Sequence, residues 1–135
     1  MVSGTRIIKK STLQKLNVPI VNLHAGVTPE YRGVHGAYWA LANQDEDKVG
    51  VTLHHVDAGI DTGMIISQEK INLVKGDCFV TYPLLQLRKG IDILEQFIRT
   101  SGQRGQVLSE GVRGPLYYHP RATQYLSLLL RRGLK

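Results

Sequence analysis

Two short apolar runs, each leading into polar groups capable of chemistry, constrain this chain more than any other feature. Pro19-Ile-Val-Asn22-Leu-His24 and the segment from Lys48 to Val56 have the length and character of buried strands. Between them lies a loop marked by Gly26, Pro29 and Gly33, and after the second comes a polar, glycine-bearing loop from Ala58 to Gly63. The arrangement delivers an amide (Asn22), an imidazole (His24) and a carboxylate (Asp61) to the ends of two predicted strands. A histidine at the carboxyl end of a strand stands where open α/β sheets place their sites.

The flanking elements agree with an α/β chain. Val2-Ser-Gly-Thr-Arg-Ile-Ile8 reads as the end of a strand and the loop that follows it. Ser11-Thr-Leu-Gln14 has capping-box spacing and predicts a short helix ending near Leu16. Strand, helix and strand in that order form a β-α-β unit, which favours parallel pairing. Val34 to Gln44 predicts a helix carrying His35, Tyr38, Trp39 and Ala42. Met64 to Gln68 reads as a short extended segment, and Ile71 to Val74 as an added edge piece. The clearest helix runs from Pro83 to Ile98, where Leu84, Leu87, Ile91, Leu94 and Ile98 recur at three- and four-residue steps as one apolar stripe. Gly90 inside it should cost about 1 kcal/mol of helical preference relative to alanine. Residues 101–115 are glycine-rich and predicted to be mostly loop. A last helix is expected after Pro120, with Tyr125, Leu126, Leu129 and Leu130 on its buried side. No internal repeat or linker divides the chain.

Composition excludes several classes. At 135 residues there is room for one domain, and 42% apolar with 21% charged residues describes a folded chain, not a disordered tail. The formal charge of +6 favours anionic partners. Its dispersal, with Lys9-Lys10 near one end and Arg131-Arg132 and Lys135 near the other, argues against a dedicated nucleic-acid surface. Cys78 is the single cysteine, so no internal disulfide can form, and a cytoplasmic location is expected. The start lacks the pattern of a signal peptide, and no apolar stretch approaches a membrane span.

Taken in order, Val2–Ile8, Asn22-Leu-His24, Tyr31-Arg32-Gly33, Trp39-Ala40, Gly50-Val-Thr-Leu-His54, Asp61-Thr-Gly63, Gly76-Asp77 and His119-Pro120 with Tyr125 are similar to markers of one family. The chain resembles the folate-dependent formyltransferases, among them those acting on phosphoribosylglycinamide, methionyl-tRNA and sugar nucleotides. That resemblance implies an α/β fold: the C-terminal part of a doubly wound, mostly parallel sheet flanked by helices. Two departures stand out. Ala25-Gly-Val-Thr-Pro29 replaces the usual Pro-Ser-Leu-Leu-Pro, and the family's glycine-rich first loop is not found. Residues 1–135 are therefore expected to be a partial catalytic domain lacking the N-terminal nucleotide- or substrate-binding half. An exposed strand edge is expected with it, covered by self-association or by a complementing N-terminal chain.

The resemblance also implies roles. Asn22, His24 and Asp61 become the catalytic set for transfer of a formyl group from 10-formyltetrahydrofolate to the primary amine of a small metabolite, itself phosphorylated or nucleotide-linked in some family members. Asn22 and His24 would stabilise the developing oxyanion, while Asp61 orients the imidazole and relays the proton leaving the amine. Arg6, Ile7 and Ile8 are expected to form one wall of the cofactor pocket, and Val56, Asp57, Ala58, Gly59 and Ile60 the other. No metal is expected. A hydrolase of the same cofactor, or a noncatalytic folate- or partner-binding fragment, would carry the same residues.

Other groups have plainer readings. His54 and His55 are consecutive on a strand and point to opposite faces, so they cannot readily chelate one ion; His54 is expected to be packed or to support the pocket. Arg32 suits either bracing the loop or facing an anionic substrate. Tyr38 and Trp39 read as packing residues, and Cys78 as inert.

Overall fold

The two predicted strands pair with each other. A computed structural model describes residues 1–100 and 114–132. In it β1 (Val21–His24) lies antiparallel to β3 (Gly50–His55), which lies antiparallel to β4 (Ile65–Lys70). A second, two-stranded sheet joins β2 (Arg32–Gly33) in parallel to β5 (Leu116–Tyr117). The α/β class with helices against a sheet is as expected. Mostly parallel pairing is not what the described strands have: parallel contacts are confined to the β2–β5 pair and a bridge between Val2 and Asn22. The β-α-β reading does account for that bridge. The reversal beyond β1 is made by the whole connection of residues 25–49, which returns the chain as β3 beside β1.

Side-chain alternation along β1 and β3 separates core from site. Val21, Leu23, Val51 and Leu53 face helix α3 (Tyr82–Arg99) and form an apolar cluster with Ile66 and Ile93. Asn22 and His24 point the other way, and the register sets Asn22 beside His54 and His24 beside Thr52.

Helix α3 meets the sheet with an unexpected face. An apolar stripe ordinarily turns inward, yet Leu84, Leu87, Ile91 and Ile98 are 64%, 50%, 53% and 66% exposed. The buried positions are Tyr82, Gln86, Gly90 and Ile93. Two contacts explain the choice. A Cβ on Gly90 would lie 2.6 Å from Leu23 Cδ2, so only glycine allows this approach of helix to sheet. Gln86 Nε2 donates to Gly50 O at 2.7 Å, which satisfies a polar group carried into the core.

A second apolar cluster, Tyr31, Ala37, Ala40, Val49 and Tyr82, forms around α2 (Gly36–Ala42). Tyr31 stacks on Tyr117, and Tyr117 on Trp39, both with ring centroids 5.3 Å apart. These rings hold the strand β5 against the body of the domain.

Several local expectations are corrected. The first helix, α1, covers only Lys10–Leu13; Ser11 lies inside it, and the capping residue Lys9 makes no side-chain bond. Ile71 to Val74 is not a strand, although Ile71 N–H donates to Val49 O. In α4 (Ala122–Arg132) Leu126 and Leu130 are exposed, and the helix is seated by Tyr125 stacked on Tyr38. The outer edge of β1 is partly covered: Val2 exchanges backbone bonds with Val21 and Leu23, and Ser3 Oγ donates to Leu23 O. Most of the glycine-rich 101–115 stretch, and Lys135, lie outside the described residues.

Candidate active site

Asn22, His24 and Asp61 converge as expected, and His54 completes the group. Asp61 is only 12% exposed and sits in the left-handed region at φ 50°, a conformation that aspartate tolerates better than most residues. Its Oδ2 accepts the Gly33 N–H at 2.9 Å and lies 3.4 Å from His24 Nδ1. Its Oδ1 accepts from Asn22 Nδ2 at 3.2 Å and lies 3.4 Å from His54 Nε2. The aspartate thus stands between two imidazoles.

Hydrogen-bond partners surround the group. His54 Nδ1 is 2.7 Å from the carbonyl of His55 and must donate to it. Asn22 Nδ2 carries two hydrogens, and has two acceptors: Asp61 Oδ1 and, at 3.1 Å, His54 Nε2. His24 Nε2 lies 2.8 Å from Tyr31 O and donates there. A Cβ on Gly26 would lie 2.6 Å from that nitrogen and 2.5 Å from Tyr31 O, so the close packing over this bond requires glycine. The loop is anchored by Thr52, whose Oγ1 donates to Gly26 O at 2.7 Å and accepts Thr28 N–H at 3.2 Å.

Burial holds His24 below its ordinary range, against the opposing pull of Asp61 and of its bond to Tyr31 O. Asp61 is also held low. Burial works against its ionisation, but the His54 ring, the His24 ring and the Gly33 N–H together outweigh it. Both shifts have the same consequence for stability. The unfolded chain binds more protons than the folded one wherever pH lies between a depressed folded pKa and its unfolded value. The stabilisation tied to His24 is complete above about pH 6.5 and declines as pH falls towards the lowered folded value. That tied to Asp61 is complete above about pH 3.8 and declines below it. Urea unfolding between pH 8 and pH 3 is therefore expected to show stability decreasing from below pH 6.5. In His24→Gln the share arising from His24 should disappear.

The four side chains open onto a cavity of about 500 Å³. It is lined by residues 2–8, by the loop after β3, by Gly33–His35 and by Leu116–Tyr118. Arg6, Ile7, Ile8, Val56, Asp57, Gly59 and Ile60 all line it; Ala58 does not, being exposed on the outer side of its loop. The Asp57 carboxylate is engaged in shaping that loop, accepting from Gly59 N–H and Thr62 Oγ1 at 2.9 and 2.7 Å.

Arg32 is a brace. Its guanidinium donates to Gly114 O and, at 3.2 Å, to Ile60 O, tying the Asp61 loop to the segment before β5. The wall at Leu116–Tyr118 is not legible in the sequence, because it depends on pairing Gly33 with a residue 84 positions later. His35 was placed on a helix surface by spacing; it lies just ahead of α2 at φ 57°, lines the cavity and bonds His119 at 2.9 Å. Among the described residues no cluster of three or more His, Cys, Asp or Glu could hold a metal, and no helix is long and apolar enough to cross a membrane.

A sheet with flanking helices, and an amide, imidazole and carboxylate gathered on one wall of a cavity, define an α/β domain with a candidate site. Comparison with known proteins carries this further. The family model described as Formyl transferase matches residues 1–83, and the chain belongs to that family. It is 31% identical over 126 residues to the methionyl-tRNA formyltransferase of Pelotomaculum thermopropionicum, covering 92% of this chain and 39% of that protein. It is 36% identical over 73 residues to the Finegoldia magna enzyme of the same name, covering 54% of this chain and 23% of the relative. Among solved structures, PseJ from Anoxybacillus kamchatkensis, in complex with UDP-4,6-dideoxy-4-formamido-L-AltNAc and tetrahydrofolate, superposes with a TM-score of 0.73. Identity is 26%, over 96% of this chain and 69% of that one. The sugar 3N-formyl transferase WlaRD, solved with dTDP and 5-N-formyl-THF, superposes with a TM-score of 0.69 at 27% identity, over 84% and 41%. The chain thus spans two fifths or less of the two curated relatives described.

One expectation is overturned. The matched model is that of the family's N-terminal domain and it runs from residue 1, so this domain is present, not absent. The fold gives the physical reason: the segment before β1 is a built part of the domain, bridging Asn22 through Val2 and forming one wall of the cavity.

Proposed function

We propose that this chain transfers a formyl group from 10-formyltetrahydrofolate to a primary amine on a small metabolite, phosphorylated or nucleotide-linked. The observation that carries the reading is the convergence of Asn22, His24, His54 and Asp61 on the lining of a single cavity. The cofactor's pterin end would lie against Arg6, Ile7, Ile8 and the loop Val56, Asp57, Gly59 and Ile60, with Ala58 contributing only to the loop's backbone. The acceptor would lie against Gly33–His35 and Leu116–Tyr118, which line the same cavity.

In this mechanism the amine nitrogen bonds to the formyl carbon, and the bond from that carbon to the cofactor nitrogen breaks. Negative charge builds on the formyl oxygen in between. Asn22 and His24 would supply its donors by redirecting hydrogens now held by His54 and Tyr31 O. Asp61 accepts the proton leaving the amine, and the cofactor nitrogen is protonated as it departs. No metal or covalent nucleophile is required by this route.

The test is formyl transfer by the purified protein from 10-formyltetrahydrofolate to a panel of amines, with an amine-free control. Amine-dependent product is the expected result; formate release without amine would assign a hydrolase instead. His24→Ala should lower the rate about 10²- to 10³-fold while circular dichroism stays unchanged. An unaltered rate would remove His24 from the mechanism.

A further inference from the structure

Among the described residues, Tyr118 is the tyrosine whose ring the fold leaves unused. Tyr31 and Tyr117 stack on each other, Tyr38 and Tyr125 do likewise, and Tyr82 is buried. Tyr118 is 69% exposed, and among the described residues its ring touches no other ring and its hydroxyl has no hydrogen-bond partner. It nevertheless belongs to the lining of the cavity that holds Asn22, His24 and Asp61.

The backbone beneath this free ring is firmly held. The Tyr118 carbonyl accepts from Trp39 Nε1 at 2.9 Å. Tyr117, just before it, pairs with Gly33, accepts the Val34 N–H at 3.1 Å, and has its ring stacked against both Tyr31 and Trp39. His119, just after it, is bonded to His35 at 2.9 Å. A tyrosine on a fixed backbone has only two side-chain torsions left to order, so a flat group can stack on it at little entropic cost.

We propose, resting on the formyl-transfer reading, that Tyr118 is the stacking platform for the nucleobase of a nucleotide-linked acceptor. Two links join its backbone to the catalytic carboxylate: the Gly33 N–H bond to Asp61 and the pairing of Gly33 with Tyr117. Together they span up to about 13 Å. An acceptor whose amine sits at Asp61 meets the Tyr118 ring when it carries a flat group at that remove, as a nucleotide-linked amine does. Every base has a π-face, so the platform selects for the presence of a base more than for its identity.

Isothermal titration of the full chain, without cofactor or amine, tests this with UDP and ADP against ribose phosphate and pyrophosphate. The two nucleotides should bind at least about tenfold more tightly than ribose phosphate. Tyr118→Ala should remove that advantage with unchanged circular dichroism, and Tyr118→Phe, which keeps the aromatic face, should retain it. In the wild type itself, the Tyr118 ring resonances should move upfield with the nucleotides and not with ribose phosphate. Tetrahydrofolate, titrated separately, should bind wild type and Tyr118→Ala alike. Nucleotides that bind no better than ribose phosphate would overturn the proposal, as would an alanine variant that keeps their advantage or a phenylalanine variant that loses it. Loss of tetrahydrofolate affinity in Tyr118→Ala would assign the ring to the cofactor instead. Nucleotide binding through Tyr118 in a protein that formylates no amine would overturn the transfer reading and leave the platform standing. Transfer to amines without any nucleotide binding would do the reverse.

Discussion

Asp61→Asn is expected to lower amine-dependent formyl transfer about 10²- to 10⁴-fold, the range for loss of a positioned acid–base group. The substitution keeps size and shape, so the effect should come from chemistry. Both carboxylate oxygens are accepting: Oδ2 from Gly33 N–H and Oδ1 from Asn22 Nδ2. An amide has one acceptor oxygen, so one of those donors would face an NH2 group. If the oxygen stays on Gly33, the Asn22 amide loses the partner that fixes its orientation; if it stays on Asn22, the β2 backbone loses its tie. Leaving a buried donor unmatched should cost about 1–3 kcal/mol. The variant also removes the negative charge between His24 and His54, and with it the base that would take the amine's proton. Steady-state rates alongside urea unfolding separate the two effects. A stable protein with wild-type turnover would exclude Asp61 from proton transfer.

Gly33→Ala should cause the largest structural loss. Gly33 has φ 97°, a conformation that an L side chain strains to adopt. A Cβ there would lie 2.1 Å from Tyr117 O and 3.0 Å from Leu116 Cδ1. The clash is with backbone on the partner strand, so the β2–β5 pair must separate. Separation moves the Gly33 N–H away from Asp61 and the Leu116–Tyr118 wall away from the cavity. The strained backbone alone is of order 1–3 kcal/mol, and overpacking is about as much again. A loss of about 3 kcal/mol in chemical unfolding is expected, with reduced acceptor affinity in whatever protein remains folded. Gly4→Ala is the control: it shares a positive φ of 59°, but its Cβ would meet nothing within 4 Å. Equal losses in the two variants would show that backbone strain, not the contact with Tyr117, governs this position.

The site was legible to the extent that its chemistry rides on strand periodicity. Asn22 and His24 are two residues apart on one strand, so a period of two places them on one face. His54, expected to support the pocket, does so because the register sets it beside Asn22. What alternation could not tell was that Asn22's hydrogens are both directed inward, or that His24 is bonded to Tyr31 O. Those partners come from loops whose paths are determined by tertiary contact.

Helix α3 shows the limit most clearly. Periodicity located the helix and its apolar stripe, but apolar spacing says only that a face seeks cover, not which cover it receives. The face laid on the sheet contains Gln86 and Gly90, because a glycine admits Leu23 and a glutamine finds Gly50 O. From its residues alone, the chain determined its α/β class, the positions of β1, β3 and α3, and the residue types gathered at the candidate site. Strand direction, the β2–β5 wall, the packed face of α3 and the placement of hydrogens around Asp61 were decided only by the tertiary structure. Each depends on groups far apart in the chain competing for the same few contacts, and local spacing carries no record of that competition.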